Sequence, residues 1–258
     1  FRSKAPLRIG LAGGGTDVSP YSDMYGGAIL NATISLSANA SIELLDTDEI
    51  IVETLDRNEQ QRFELSTSLP INGQLDLLKG VYNRIQKDFP FPVRGFRLST
   101  FVDAPAGSGL GTSSTLVVAI LGAFVEMLKL PLGDYDIAHL AFQIEREDLQ
   151  LAGGKQDQYA ATFGGVNFME FYADDKVIVN PLRIRPEYMH ELGNNLVLYF
   201  TASSRESAHI IKEQVKNVNE KNEKSIDAMH QLKEQSRMMK EALLKGRLNE
   251  FGEILDFG

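Results

Sequence analysis

A run of glycines and two carboxylates are the residues of this chain best suited to chemistry on a phosphate. Residues 103–115 read Asp-Ala-Pro-Ala-Gly-Ser-Gly-Leu-Gly-Thr-Ser-Ser-Thr. Gly107, Gly109 and Gly111 alternate, which lets backbone approach a ligand closely and lets N–H groups form an anion-holding concavity. Thr112, Ser113 and Ser114 open an apolar helix, where unpaired N–H groups and the helix dipole attract phosphate. Their hydroxyls are placed to cap that helix or to reach a metal. Pro105, Ala106, Ser108 and Leu110 complete the loop. The bland alternative is a glycine-rich turn with a Ser/Thr cap. A Walker A loop is excluded, because no Gly-Lys-Ser/Thr follows, and the segment is a poor dinucleotide fingerprint.

Glu145 lies on a helix expected to stop near Gly153-Gly154, and Asp157 falls in the first turn of the next helix. Transfer of a phosphoryl group needs a hard oxygen ligand for Mg²⁺ and a carboxylate facing the attacking hydroxyl. Glu145 and Asp157 suit those two roles; the alternatives are a solvated charge on an acidic helix face for Glu145 and a first-turn partner of the helix dipole for Asp157. Arg8 is the one charged residue among Leu7, Ile9 and Leu11. It would keep a neighbouring carboxylate ionised or neutralise a moving phosphoryl group, unless it simply faces water from an edge strand. Gly14, Gly15, Thr16 and Asp17 follow that strand. They offer close backbone approach and an acceptor for sugar hydroxyls, or only a turn capped by Asp17. Pro20-Tyr21 and Gly26-Gly27 would add a wall to the same pocket.

The elements that position these residues read as a mixed α/β fold. Residues 5–12 form a strand, 28–45 two strands, 49–54 and 61–65 a hairpin, 75–87 a helix and 93–102 a strand. Helices are expected over 112–130, 134–150 and 154–162, and strands over 164–170 and 176–182. Residues 196–201 are apolar enough for a buried strand. Residues 206–245 read as one long helix, with Ile211, Val215, Val218, Met229, Leu232, Met239 and Leu243 as its apolar stripe. That stripe packs on its own core or on a partner subunit; the sequence leaves the oligomeric state open. The shift from strands to helices near 183–195 places the domain boundary, giving domains 1–185 and 186–258.

Bulk properties narrow the function classes. The chain has 258 residues, a formal net charge of −9 and no cysteine. The negative balance disfavours nucleic acid, which demands a basic surface. Missing cysteines exclude disulfides and thiolate metal sites. No apolar run reaches the ~18 residues of a membrane span, and no signal peptide is visible at Phe1-Arg2-Ser3-Lys4. A cytoplasmic protein with small-molecule partners is expected, with neither nucleic acid nor membrane among them.

Taken together, three segments resemble the GHMP kinases (galactokinase, homoserine kinase, mevalonate and phosphomevalonate kinases). Lys4-Ala5-Pro6-Leu7-Arg8-Ile9 looks like the family's first motif. Pro105 to Ser113 matches its second, P-x-x-x-G-L-G-S-S, with Thr112 for the first Ser. Gly154-Lys155-Gln156-Asp157-Gln158-Tyr159 looks like the catalytic-aspartate segment of galactokinase. The resemblance covers residues 4–170 well. It implies a two-domain fold: a ribosomal-protein-S5-like N-terminal domain and a ferredoxin-like C-terminal one, here incomplete. It implies ATP and Mg²⁺ as cofactors, Asp157 as the catalytic carboxylate with Arg8 beside it, and Ser113 and Glu145 on the metal. The backbone from Gly107 to Ser114 would wrap the triphosphate, and Asp17 would match a sugar-binding aspartate.

Two departures sharpen the reading. Galactokinase has an acidic residue where this chain has Gly14. Gly13-Gly14-Gly15-Thr16-Asp17, with Gly-Lys-Gln-Asp-Gln-Tyr, is instead similar to bacterial heptose kinases acting on D-glycero-D-manno-heptose 7-phosphate and to the kinase part of fucokinases. Phe200 to Arg205 looks like the heptokinase pattern too, which implies Arg205 as a ligand for the substrate's phosphate; a first-turn helix residue paired with Glu206 is the alternative. The family's third, glycine-rich motif is absent from the chain; it is expected beyond Gly258, the alternative being a catalytically crippled version of the enzyme. The function implied is phosphorylation of a heptose 7-phosphate at its anomeric hydroxyl, in the synthesis of bacterial surface-polysaccharide precursors. The alternatives are another sugar kinase of the family, fucokinase-like, or a kinase-like protein that binds sugar and nucleotide without turnover.

Overall fold

The longest strand organises everything that carries the site. In the computed structural model, which describes residues 1–200 and 207–257, β2 (Gly27–Leu44) runs unbroken for 18 residues. Two strands were expected here. The run from Ala28 to Leu44 contains neither Gly nor Pro, so nothing stops the strand. The irregularity appears instead in its partner, β1 (Arg2–Ala12), as a register shift between Pro6 and Arg8. That shift, a bulge-type irregularity that re-aims side chains, lies immediately before Arg8.

Around β2 the sheet is mixed. The N-terminal half of β2 pairs with β6 (Val166–Phe171), and its C-terminal half pairs with β5 (Phe96–Val102), both antiparallel. Outward from β5 come β3 (Glu49–Thr54), in parallel, and β4 (Glu59–Glu64). Outward from β6 comes β7 (Val177–Pro181). A short helix, α1 (Tyr21–Tyr25), links β1 to β2, and α2 (Asp76–Asp88) covers the crossover from β4 to β5.

α3 (Thr112–Leu128) is apolar nearly all round. A helix of that composition must be buried on every side, and it is: Val117, Ile120, Leu121 and Phe124 are inaccessible in the main core. α3 packs between the sheet and α2, α4 (Asp134–Gln143) and α5 (Gln156–Phe163). This fixes the first turn of α3 rigidly at the end of the glycine loop. Between α4 and α5 the helix widens into one π-helical turn, Ile144–Asp148, which carries Glu145. Turns of this kind recur at functional sites.

Two expectations for the C-terminal part are corrected. The helix expected over 206–245 is two helices, α7 (Ser207–Asn219) and α8 (Glu223–Leu244). Lys221 takes a left-handed conformation, and the Asn222 side chain accepts the N–H of Ser225 at 3.1 Å, capping α8 afresh. Apolar periodicity continues across this break and hides it. The described residues 196–200 of the expected buried strand are neither paired nor buried, with Val197 85% and Tyr199 80% exposed. Their composition permits burial, but no described strand pairs with them. α6 (Pro186–Asn195), α8 and α9 (Leu248–Phe257) share a core with β1 and β2, through Leu192, Met239, Leu243, Phe251 and Ile254 against Leu11 and Leu30. Among the described residues no helix is long and apolar enough to cross a membrane.

Candidate active site

Arg8 reaches across the fold to Asp157, 149 residues away in sequence. Its Nε and Nη2 both approach the same carboxylate oxygen, Oδ1, at 2.7 and 2.6 Å. Its Nη1 donates to the carbonyl of Gly109 at 2.6 Å, and its backbone N–H to that of Leu110 at 3.2 Å. One guanidinium therefore fixes the carboxylate and the glycine loop together, the forked geometry for which Arg is suited. Asp157 Oδ2 has no protein partner among the described residues and lies beside Gly111, where a Cβ would sit 3.4 Å from it. The Asp157 side chain is 22% exposed, toward the cleft.

The glycine loop takes the path its sequence implied. Gly107, Gly109 and Gly111 all have positive φ, and Gly111 occupies the left-handed position that begins α3. Gly107, Gly109, Gly111, Thr112, Ser113 and Ser114 line the cleft. Leu110 instead turns its side chain into a small core with Leu7 and Ala104. Pro105, Ala106 and Ser108 are not among the lining residues.

Glu145, 1% exposed, is held from both sides. Ser113 Oγ donates to its Oε1 at 2.8 Å, and Gln158 Nε2 donates to its Oε2 at 2.5 Å and to Ser114 Oγ at 3.1 Å. Carboxylate plus hydroxyl at the mouth of the glycine loop is an all-oxygen donor set, of the kind that fits a Mg²⁺ completing its shell with phosphate and water. α5 thus carries two neighbours with separate tasks: Asp157 faces Arg8, and Gln158 orients Glu145.

Asp17 is 2% exposed. Its Oδ2 accepts the backbone N–H groups of Lys155 at 2.7 Å and Gln156 at 2.9 Å, so it caps the start of α5 from a distant loop. Burial pushes its carboxyl above the ordinary value of 3.8; the two N–H bonds pull the other way, and the nearby Asp157 charge adds to the rise. A raised folded-state value means that this group's stabilisation is complete below 3.8 and is lost as pH rises through the folded value. Asp17→Asn, which keeps an oxygen for those N–H groups, is therefore expected to cost less stability at pH 7 than at about pH 4. Melting temperatures of the two proteins at both pH values check this; an unchanged difference would contradict it.

Gly14, Gly15 and Asp17 line the same cleft, whose volume is about 600 Å³. Thr16 does not: it is fully buried, with Oγ1 donating to the Gly13 carbonyl at 2.8 Å and accepting the Ala28 N–H at 3.1 Å. Tyr21 is no pocket wall either; it is buried, with its hydroxyl 2.8 Å from His230 Nδ1, and ties α1 to α8. Arg205 lies outside the described residues. From the far side α7 contributes Ala208, Ile211 and Gln214, and Gln214 Nε2 donates to the Gly15 carbonyl at 2.6 Å. Gln158, Gln214 and Arg146, which also lines the cleft, had no signal in the sequence beyond standing next to stronger candidates or on a helical stripe.

Residues 76–165 match the family model for the GHMP kinases N terminal domain. That span carries the glycine loop, Glu145 and Asp157; Arg8 and Asp17 precede it. The chain is 50% identical over 255 residues to D-glycero-alpha-D-manno-heptose 7-phosphate kinase of Campylobacter jejuni, covering 99% of this chain and 75% of the relative. A second relative, the bifunctional fucokinase/GDP-fucose pyrophosphorylase of Arabidopsis thaliana, is 26% identical over 262 residues, 97% of this chain and 25% of that protein. Among solved structures, a D-glycero-D-manno-heptose 1-phosphate kinase from Bacteroides thetaiotaomicron matches with a TM-score of 0.88 at 50% identity, covering 98% of this chain and 76% of the other.

Proposed function

Because the chain belongs to the GHMP kinase family, we propose that it moves the γ-phosphoryl group of ATP to the anomeric hydroxyl of D-glycero-D-manno-heptose 7-phosphate. Asp157 carries this reading: one oxygen is held by Arg8 while the other faces the glycine loop. The acceptor follows from the half-identical relative named for that substrate. The Bacteroides kinase is named for the 1-phosphate, so the two names agree on a D-glycero-D-manno-heptose and differ on the phosphate; the 7-phosphate is the one that leaves the anomeric hydroxyl free to attack.

In the proposed reaction the acceptor oxygen bonds to the γ-phosphorus as the bond from that phosphorus to the β,γ-bridging oxygen breaks, and its electron pair leaves with ADP. The hydroxyl proton passes to Asp157 Oδ2. Transition states of this kind are loose, so positioning and charge stabilisation supply most of the rate. Arg8 keeps Asp157 aimed and ties it to the loop that would hold the phosphates. Ser113 and Glu145 would hold Mg²⁺, which when bound offsets charge on the β- and γ-oxygens. Gln158 keeps Glu145 pointed at that position. The division at 185/186, with a partial ferredoxin-like C-terminal half, and a cytoplasmic setting belong to the same proposal.

ADP release with Mg·ATP, measured against the heptose 7-phosphate, L-fucose, galactose and mevalonate, tests it. Turnover confined to the heptose phosphate is the expected result. Turnover with another of the four instead would overturn the acceptor and keep the kinase. Nucleotide binding without turnover on any of them would favour a non-catalytic binding protein.

A further inference from the structure

A cleft that takes a triphosphate and a phosphorylated sugar needs positive charge, and two cations line it among the described residues: Arg8 and Arg146. Arg8 is committed. Its guanidinium is held by Asp157 at 2.6 and 2.7 Å and by the Gly109 carbonyl at 2.6 Å.

Arg146 is in a different position. Its side chain is only 14% exposed, and its one carboxylate neighbour among the described residues is Glu145, at 3.9 Å. Glu145 already receives closer donors, Ser113 on one oxygen and Gln158 on the other. The hydrogen bonds of Arg146 go to neutral carbonyls and are long: Nη1 to Leu151 at 3.3 Å and to Ala152 at 3.4 Å, and Nε to Gly154 at 3.4 Å. Nη2 donates to no described residue. Gly153 has been shaped around the group. A Cβ there would lie 2.2 Å from Nη2 and 2.3 Å from Cζ, so only glycine lets the guanidinium lie against the backbone. The loop thus seats a cation at the cleft without neutralising it. Burying a charge without a close counter-charge is costly, and a planar fork with free N–H groups is matched by phosphate oxygens.

We infer that Arg146 is a phosphate-binding residue of this cleft, filled by an anionic phosphate group of one of the two substrates. The inference rests on the proposed kinase reaction with a phosphorylated acceptor. Two sources supply the same chemistry, the triphosphate of the nucleotide and the acceptor's own phosphate. Arg146 is anchored by the loop that leads into the Asp17-capped start of α5, and Asp17 lines the cleft together with Gly15 and Gln214; this favours the acceptor.

The test is calorimetric binding of the heptose 7-phosphate, the unphosphorylated heptose and Mg·AMP-PNP to the full chain, in wild type, Arg146→Met and Arg146→Lys. If the acceptor's phosphate is the ligand, Arg146→Met should weaken the heptose 7-phosphate at least about tenfold, the scale of one hydrogen bond between charged partners. The unphosphorylated heptose and the nucleotide should bind as before. A loss confined to Mg·AMP-PNP would assign the residue to the triphosphate. Wild-type affinity for all three in both variants would overturn the inference and make Arg146 a loop anchor only. Arg146→Lys keeps the charge without the fork and should fall between the extremes; it carries the test should Arg146→Met not fold. If wild type binds neither the sugar phosphate nor the nucleotide, the kinase reading fails, which is a separate result.

Discussion

Asp157→Asn is expected to lower kcat by about 10²–10⁴-fold, the usual worth of a positioned general base, while Mg·ATP binding persists. The amide retains one oxygen, which still accepts both Arg8 N–H groups now given to Oδ1 at 2.6 and 2.7 Å. The change falls on the other arm. An NH₂ group replaces the oxygen beside Gly111, and it cannot take a proton from a hydroxyl. The variant should therefore fold, hold the glycine loop through Arg8, and bind nucleotide. Steady-state turnover together with calorimetric titration of Mg·AMP-PNP separates the two effects. Retention of more than about a tenth of kcat would exclude general-base assistance at this position.

Gly154→Ala should damage both stability and catalysis from a position that carries no chemistry. A Cβ at 154 would lie 1.9 Å from Asp17 Oδ2 and 2.4 Å from its Cγ. Asp17 is 2% exposed and cannot swing into water, so it must give up the Lys155 and Gln156 N–H groups or push α5 away. Leaving a buried donor unsatisfied costs about 1–3 kcal/mol, and with two N–H groups at stake a loss of about 3 kcal/mol in unfolding free energy is expected. α5 also carries Asp157. A displacement of about 1 Å at a reacting group costs on the order of 10²-fold in rate, so kcat should fall by roughly that factor in the folded variant. Gly193→Ala in α6, where a Cβ meets nothing within 4 Å, is the matched control; it should leave kcat unchanged and raise stability by about 0.5–1 kcal/mol, because Ala is the better helix former. Chemical denaturation and kcat measured on both proteins decide the matter. Wild-type behaviour of Gly154→Ala would show that Asp17 does not hold the start of α5.

These two residues also mark what was legible in the sequence. A carboxylate in a first helical turn has an ordinary structural reason to be there, the helix dipole, so Asp157 stands out only through the company of the glycine loop and Arg8. The role of Gly154 is invisible in one dimension. It depends on a carboxylate 137 positions earlier folding back onto it, as Arg146 and Gly153 depend on the path of the loop from 151 to 154. Gln158 was read as part of a motif, yet nothing in its type or spacing says that its amide faces Glu145. Strands and helices of the first 182 residues were largely readable, because period-2 and period-3.6 patterns report which face is buried. Where a pattern crosses a break, as at Lys221-Asn222, or where an apolar run such as Val197 to Phe200 lies exposed, the pattern misleads. Periodicity records which residues could be buried and not whether a partner surface is present.

Phosphorus NMR of the reaction mixture tests the central claim most directly. The full-length protein, Mg·ATP and D-glycero-D-manno-heptose 7-phosphate should give ADP and a second sugar phosphorus resonance coupled to the anomeric proton, with the original phosphate untouched. Asp157→Asn should give neither in the same time. ADP with free inorganic phosphate and no new sugar phosphorus, or a new phosphate on a carbon other than the anomeric one, would contradict the account of how Asp157, Arg8 and the glycine loop are used.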